Sequence, residues 1–255
     1  HSDIAIHFDF SSALRTLLSD VLISKDTDNP IHGAALHIEA PDYGFSWDGA
    51  AGVSTITPGV PLTALHPLRI ASITKTYVAA AILRLWEDNR LDIDAAISQV
   101  ISTEHRQIIT RGGYQPDKIT PSHLLTHTSG LFDYGDSDKF GEVAMADFAR
   151  RWSRTDQLEL AMDYGSPYGT PGEVYRYSDT GYILLGEIIE RITGQPLGVA
   201  LRQLLDYKSL RLNATWLELD EAAPAGIPAR AHQYFGRQDT YLLDPSMDSF
   251  GGGGL

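Results

Sequence analysis

The stretch from Thr74 to Glu87, "TKTYVAAAILRLWE", is rich in Ala and Leu and carries no Gly or Pro. Residues of that kind favour helix intrinsically, and apolar side chains all round a helix mark one that is buried. A well-formed, mostly buried helix is therefore predicted here, around which the rest of the chain must build its core. Its leading edge reads "RIASITK", with Ser72 and Lys75 three residues apart. In a helical segment that spacing puts both side chains on one face, one turn apart. An ammonium among apolar neighbours is costly unless it is paired. A serine hydroxyl needs a neighbour to take its proton before it becomes a nucleophile. Free N–H groups and the positive dipole end at a helix start favour negative charge developing beside Ser72. Ser-x-x-Lys alone recurs by chance on helix surfaces; its buried setting is what singles this one out.

The rest of the chain can supply such a core. It has 255 residues, 43% of them hydrophobic, enough for one large domain or a domain with an insertion. Asp plus Glu number 33 against 20 Lys plus Arg, a net charge of −13 with no basic run, which argues against a nucleic-acid partner. With no cysteine, disulfides, thiolate metal sites and a cysteine nucleophile are excluded. No apolar run approaches the roughly 18 residues of a membrane span. The chain starts at His1 rather than Met, as expected if a signal peptide has been removed or replaced.

Before the central helix, "FDFSSALRTLLSDVLI" (8–23) has apolar residues at Phe10, Leu14, Leu17, Leu18, Val21 and Leu22, a helical rhythm with one buried face. In "AALHIEAPDYGFSWDG" (34–49), two half-alternating runs flank Pro41-Asp42-Tyr43-Gly44, which reads as a β-hairpin. After it, "ITPSHLLTHTSGL" (119–131) is predicted to be a short helix with Pro121 in its first turn and Gly130 as its stop. The segment "FDYGDSDKFGEV" is a polar loop region, and "YGSPYGTPGEVYRYSDTGY" (164–182) is a cluster of Tyr-rich turns leading into the helix "YILLGEIIERITG" (182–194). Site residues concentrate on such loops. The only low-complexity stretch is "GGGGL" at 251–255.

Three further groups carry chemistry. In "YRYSDTGY", Ser178 or Asp179 caps the following helix while the tyrosines pack, or Tyr177 serves as a proton relay beside a cation. His123 and His127 in "HLLTH" have i, i+4 spacing suited to one metal. Position 124 is Leu rather than the Glu of a zinc-peptidase helix, so a helix-end histidine bonded to backbone is the favoured reading. Asn213-Ala214-Thr215 matches a glycosylation acceptor in a segment that reads as packed.

Taken together, these stretches resemble the serine β-lactamase and penicillin-binding-protein superfamily, in the branch of class C β-lactamases, D-Ala-D-Ala carboxypeptidases, D-aminopeptidases and related esterases. "LRIASITKTYVAAAILRLWEDNRLDIDAAI" resembles its nucleophile helix, "ITPSHLLTHTSGL" a structural signature, and "PGEVYRYSDTGYILLGEIIERITGQPL" the segment bearing Tyr-x-Asn; "LRLNATWL" and "ARAHQY" resemble later landmarks. The resemblance implies an α+β, β-lactamase/transpeptidase-like fold, an antiparallel sheet flanked by helices plus a helical region. Residues 1–255 would be the N-terminal and middle part of one catalytic domain: about 1–75 sheet hairpin and start of the nucleophile helix, about 76–215 mainly helical, about 216–255 returning toward the sheet. It implies that Ser72 is acylated, that Lys75 is its proton acceptor or the cation tuning that acceptor, and that Tyr177 completes the relay. No cofactor or metal is implied. The implied location is periplasmic or secreted, with a cytoplasmic one open.

Two departures qualify what carries over. Asp179 stands where the family commonly has Asn, whose amide contacts the lysine and the substrate's acyl amide. An ionised carboxylate offers no donor and favours a cationic Lys75 assisting Tyr177, so esters lose less recognition than amides. The Lys/His-x-Gly motif of a late strand is absent, since the chain reaches only "DSFGGGGL" and His232 is followed by Gln233 and Tyr234. The sheet is therefore expected to be incomplete and its edge bare, with the remainder either supplied by a C-terminal companion polypeptide or missing. The activities implied are acyl-enzyme hydrolysis of peptide, amide or ester bonds. The alternatives are a catalytically weak binding or regulatory protein on the same fold and a zinc hydrolase using His123 and His127.

Overall fold

A computed structural model describes residues 9–23 and 28–255; Phe8, the first residue of the N-terminal helical stretch, lies outside them. The chain divides into two compact units, residues 1–68 with 226–242 and residues 69–225 with 243–255. Among the described residues no helix is long and apolar enough to cross a membrane.

The first unit holds the sheet. Helix α1 (Phe10–Val21) starts at Asp9, whose carboxylate accepts the Ser12 N–H at 3.1 Å, a standard way of satisfying an orphan amide. Of the six apolar residues in its stripe only Leu18 is fully buried, while Phe10, Leu17 and Val21 are exposed. The expected hairpin is present: β1 (Gly33–Ala40) pairs antiparallel with β2 (Phe45–Thr55), Gly33 opposite Gly52 and Ala40 opposite Phe45. A single 3-10 turn at Pro41–Tyr43 reverses the chain, with Gly44 in the left-handed region at φ 58°, which glycine enters without a Cβ penalty. The two-residue β3 (Val60–Pro61) pairs with the far end of β2. The segment 226–242 joins this unit through Ala231 N–H to Pro67 O (2.9 Å) and His232 N–H to Ser54 O (2.8 Å), and closes in a small hairpin of β4 (Tyr234–Phe235) and β5 (Gln238–Asp239).

The second unit is helical. The predicted central helix is observed as α2 (Thr74–Glu87), with Val78, Ala81, Ile82 and Leu85 fully buried. It is followed by α3 (Thr103–Arg111), α4 (Pro121–Leu125), α5 (Asp138–Ala146), α6 (Arg154–Tyr164), α7 (Asp179–Thr193) and α8 (Leu197–Leu204). Helix α7 is the axis of the unit: it packs against α2, α4, α6 and α8, and every residue from Thr180 to Ile189 is buried. It begins three residues before the apolar run suggested and ends, as expected, at Gly194 in the left-handed region (φ 69°). Helix α4 is shorter than expected. It stops at Leu125, and the backbone turns away at His127 (φ 55°), ahead of Gly130.

The glycine run is packed rather than loose. Residues 251–255 are all buried, and they lie against α7 so closely that a Cβ on Gly186 would meet the Phe250 carbonyl oxygen at 2.0 Å and one on Gly251 the Tyr182 carbonyl oxygen at 2.3 Å. Leu255 closes the path by donating its N–H to Thr74 Oγ1 (3.2 Å) and accepting the Ile70 N–H (2.9 Å). Bare backbone is what allows this strand of chain to reach the start of α2.

Candidate active site

Ser72 lies in a 3-10 turn (Ala71–Ile73) leading directly into α2, after Ala71 has taken a left-handed conformation (φ 45°). That turn leaves Ser72 exposed while the next helical turn draws Lys75 inward, to 6% exposure. The Lys75 Nζ donates to Ser72 Oγ at 3.0 Å and to the Gly252 carbonyl at 2.7 Å, and forms an ion pair with Asp179 Oδ1. An ammonium has three N–H groups, and here each has an oxygen to meet. The Asp179 carboxylate beside it favours the charged form of the amine. The faces of Tyr177 (5.1 Å) and Tyr182 (5.5 Å) add the cation–π attraction of two rings.

Tyr177 and Asp179 arrive from the start of α7. The Tyr177 hydroxyl lies 2.9 Å from Ser72 Oγ and 3.3 Å from Asp179 Oδ1. All four sequence-derived residues, Ser72, Lys75, Tyr177 and Asp179, are thus in one hydrogen-bonded group. The capping role considered for Ser178 is not observed: Ser178 makes no side-chain cap bond, and its buried hydroxyl has no partner among the described residues. Asp133, which accepts the Gly135 N–H at 2.9 Å, places its carboxylate near Asp179 at the start of α7. Burial pushes Asp133 up to about 6, with the Asp179 carboxylate adding to the effect. Asp248, surrounded by protein with part of its surface still open, is pushed up to about 6 by burial as well, although Arg69 opposes this.

The two histidines do not form a metal pair. Helix α4 ends at Leu125, so His123 and His127 do not share a helical face. His123 Nδ1 accepts the Thr120 N–H at 3.2 Å in a capping box. His127 holds the tyrosine instead. Its carbonyl accepts the Arg176 N–H (2.8 Å), its Nδ1 accepts the Ser178 N–H (3.2 Å), and its ring stacks on Tyr177 at 4.4 Å between centroids. Burial, and then the Lys75 ammonium, hold the imidazole below its ordinary range, in keeping with a ring nitrogen that accepts.

Sequence reasoning missed His127 as a support for Tyr177, Asp133 as a buried carboxylate near Asp179 and the Gly252 carbonyl as a lysine acceptor. Only the last left a signal, an unbroken glycine run, which permits close backbone approach. The group combines an exposed hydroxyl, a fixed cation, a phenol and a carboxylate, the parts a nucleophile and its proton carriers require.

Known proteins resemble this chain in sequence and in fold. The chain is 26% identical over 226 residues to "Penicillin-binding protein 4*" of Bacillus subtilis, covering 85% of this chain and 45% of that protein. It is 32% identical over 161 residues to "Esterase EstB" of Burkholderia gladioli, covering 61% and 40%. It thus spans about half or less of the length of these curated relatives. Among solved structures, a D-stereospecific amidohydrolase from Streptomyces sp. superposes with a TM-score of 0.77 at 26% identity, covering 95% of this chain and 67% of the other. The D-amino acid amidase of Ochrobactrum anthropi, at 23% identity, shares the fold with a TM-score of 0.76, covering 96% and 66%. The family model described as Beta-lactamase matches residues 24–255, nearly the whole chain, and the chain belongs to the Beta-lactamase family, with its β-lactamase/transpeptidase-like fold of helices and a small antiparallel sheet.

Proposed function

We propose that the chain is the Ser72-bearing part of a serine hydrolase that works through an acyl-enzyme on ester or amide bonds. The observation that carries this reading is the convergence of Lys75 Nζ at 3.0 Å and the Tyr177 hydroxyl at 2.9 Å on one exposed serine oxygen. Ser72 is the nucleophile and Tyr177 its proton acceptor. Lys75 is a fixed cation that stabilises negative charge on Ser72 Oγ and on the tyrosine oxygen as the proton leaves, an electrostatic role that needs no rearrangement during reaction. The start of α2 favours the oxyanion that forms beside Ser72.

The relatives act on several carbonyl classes: an esterase, a D-stereospecific amidohydrolase and a penicillin-binding protein. Esters and D-amino acid amides are the favoured substrates, since Asp179 offers no amide donor for a longer acyl amide. This chain covers about two thirds of the length of these solved relatives, and the reading is confined to the part of the site it carries.

The test is turnover of a p-nitrophenyl ester, a D-alanine p-nitroanilide and a chromogenic β-lactam, each measured beside Ser72→Ala. Ester and D-amino amide hydrolysis that vanishes in Ser72→Ala is expected. Saturable binding of these compounds without turnover would support a ligand-binding protein on the same fold.

A further inference from the structure

We infer that Asp179 is the terminal proton acceptor of the Ser72–Tyr177 pair, a catalytic group in its own right rather than an impaired substitute for an amide. The inference rests on the acyl-enzyme reading and concerns how its first proton is disposed of. The Tyr177 hydroxyl has one proton and two oxygen neighbours, Ser72 Oγ at 2.9 Å and Asp179 Oδ1 at 3.3 Å. Lys75 donates to both Ser72 Oγ and Asp179 Oδ1. A carboxylate only accepts, so the tyrosine proton has its natural place on the line to Asp179. The Tyr177 hydroxyl also donates to Ser72 Oγ; once its single proton turns to Asp179, the Ser72 hydroxyl is free to donate to the tyrosine oxygen. Lys75, Ser72, Tyr177 and Asp179 then form one directed chain of donors that ends on the single group able to take a proton and hold it. An amide oxygen at position 179 would accept the hydrogen bond but not the proton.

The step balances as follows. Ser72 Oγ forms a bond to the carbonyl carbon, and the carbonyl π pair moves to its oxygen. The Ser72 proton passes to the Tyr177 oxygen while the Tyr177 proton passes to Asp179 Oδ1. When the tetrahedral intermediate collapses, the bond from carbon to the leaving nitrogen or oxygen breaks. Tyr177 then gives its proton to the leaving group and recovers one from Asp179. Tyr177 is never required to carry a full negative charge, which removes the need for a strongly acidified phenol. Lys75 keeps its three N–H bonds throughout.

Asp179→Asn decides the matter, because the two readings of this position expect opposite results. With p-nitrophenyl acetate, which has no acyl amide to recognise, the burst of acylation is expected to slow on the order of 100-fold in Asp179→Asn, the usual size of a lost proton acceptor. If Asp179 were an impaired amide, the substitution would leave the burst unchanged or speed it. The rate is also measured across H2O/D2O mixtures: two protons in flight give a curved dependence in the wild type and a straight one in Asp179→Asn, which a purely structural role for the carboxylate does not produce. Tyr177→Phe supplies the second variant; a Tyr177→Phe/Asp179→Asn double variant no slower than Tyr177→Phe is expected, and additive losses would overturn the relay. Thermal melts of each variant separate slow chemistry from misfolding. Absence of any wild-type burst removes the acyl-enzyme reading itself, whereas a normal burst retained in Asp179→Asn removes only this inference.

Discussion

Replacing Asp133 by Asn is expected to stabilise the protein near neutral pH. Asp133 is 5% exposed, and its carboxyl is raised from 3.8 to about 6, first by burial and then by the Asp179 carboxylate. A rise of that size corresponds to about 3 kcal/mol at roughly 1.36 kcal/mol per pK unit. Because the folded value lies above the unfolded one, the folded state binds the extra proton between pH ~4 and ~6. The contribution is fully present below about pH 4 and is lost as pH rises through about 6. Asparagine mimics the protonated form at every pH and retains an oxygen for the Gly135 N–H. The variant should therefore match the wild type at pH 4 and exceed it by about 3 kcal/mol at pH 7, or roughly 6–12 °C in Tm for a chain of this size. Urea unfolding at half-unit pH intervals reads the difference directly. Asp248, raised through the same window, remains in both proteins, so the difference curve isolates Asp133. Equal stability at pH 7, or a gain present already at pH 4, would refute the reasoning.

His127 should act on Tyr177 by two separable contacts: His127→Asn keeps an acceptor for the Ser178 N–H, and His127→Phe keeps the ring stack. Each is expected to raise the rate of Tyr177 nitration by tetranitromethane, followed by peptide mapping, and His127→Ala more than either; equal rates in all four proteins would contradict the grip. Gly186→Ala should cost about 1–3 kcal/mol, since its Cβ falls 2.0 Å from the Phe250 carbonyl oxygen, and urea denaturation checks this. Leu85→Ala, at a fully buried position of α2, should cost about 2–5 kcal/mol by the same measurement.

What the sequence disclosed and what it withheld divide along physical lines. The helix at Thr74–Glu87 was legible because propensity and burial pointed the same way, and the hairpin at 34–49 because a Pro-Asp-Tyr-Gly turn sits between alternating runs. The proximity of Ser72 and Lys75 is local, a matter of one helical turn. Bringing Tyr177 and Asp179 to them required the family resemblance, since no short-range pattern encodes a contact across about 100 positions. The end of α4 was misplaced because Gly130 is the obvious breaker, whereas the chain turns at His127, a residue seldom found at positive φ. Exposure of Leu17 and Val21 was illegible for a different reason. Periodicity reports which residues share a face but not how wide a surface meets it. Asp133 is brought near Asp179 from a distant stretch of sequence, and composition around Ser178 gave no sign of it.

The central claim is that Ser72 is the acylated nucleophile, and the most direct test is intact mass spectrometry after exposure to a fluorophosphonate probe, with peptide mapping of any adduct. One adduct per chain on the peptide containing Ser72, absent in Ser72→Ala and slowed in Lys75→Met, is the expected result. No adduct, or one that persists unchanged in Ser72→Ala, would contradict the account.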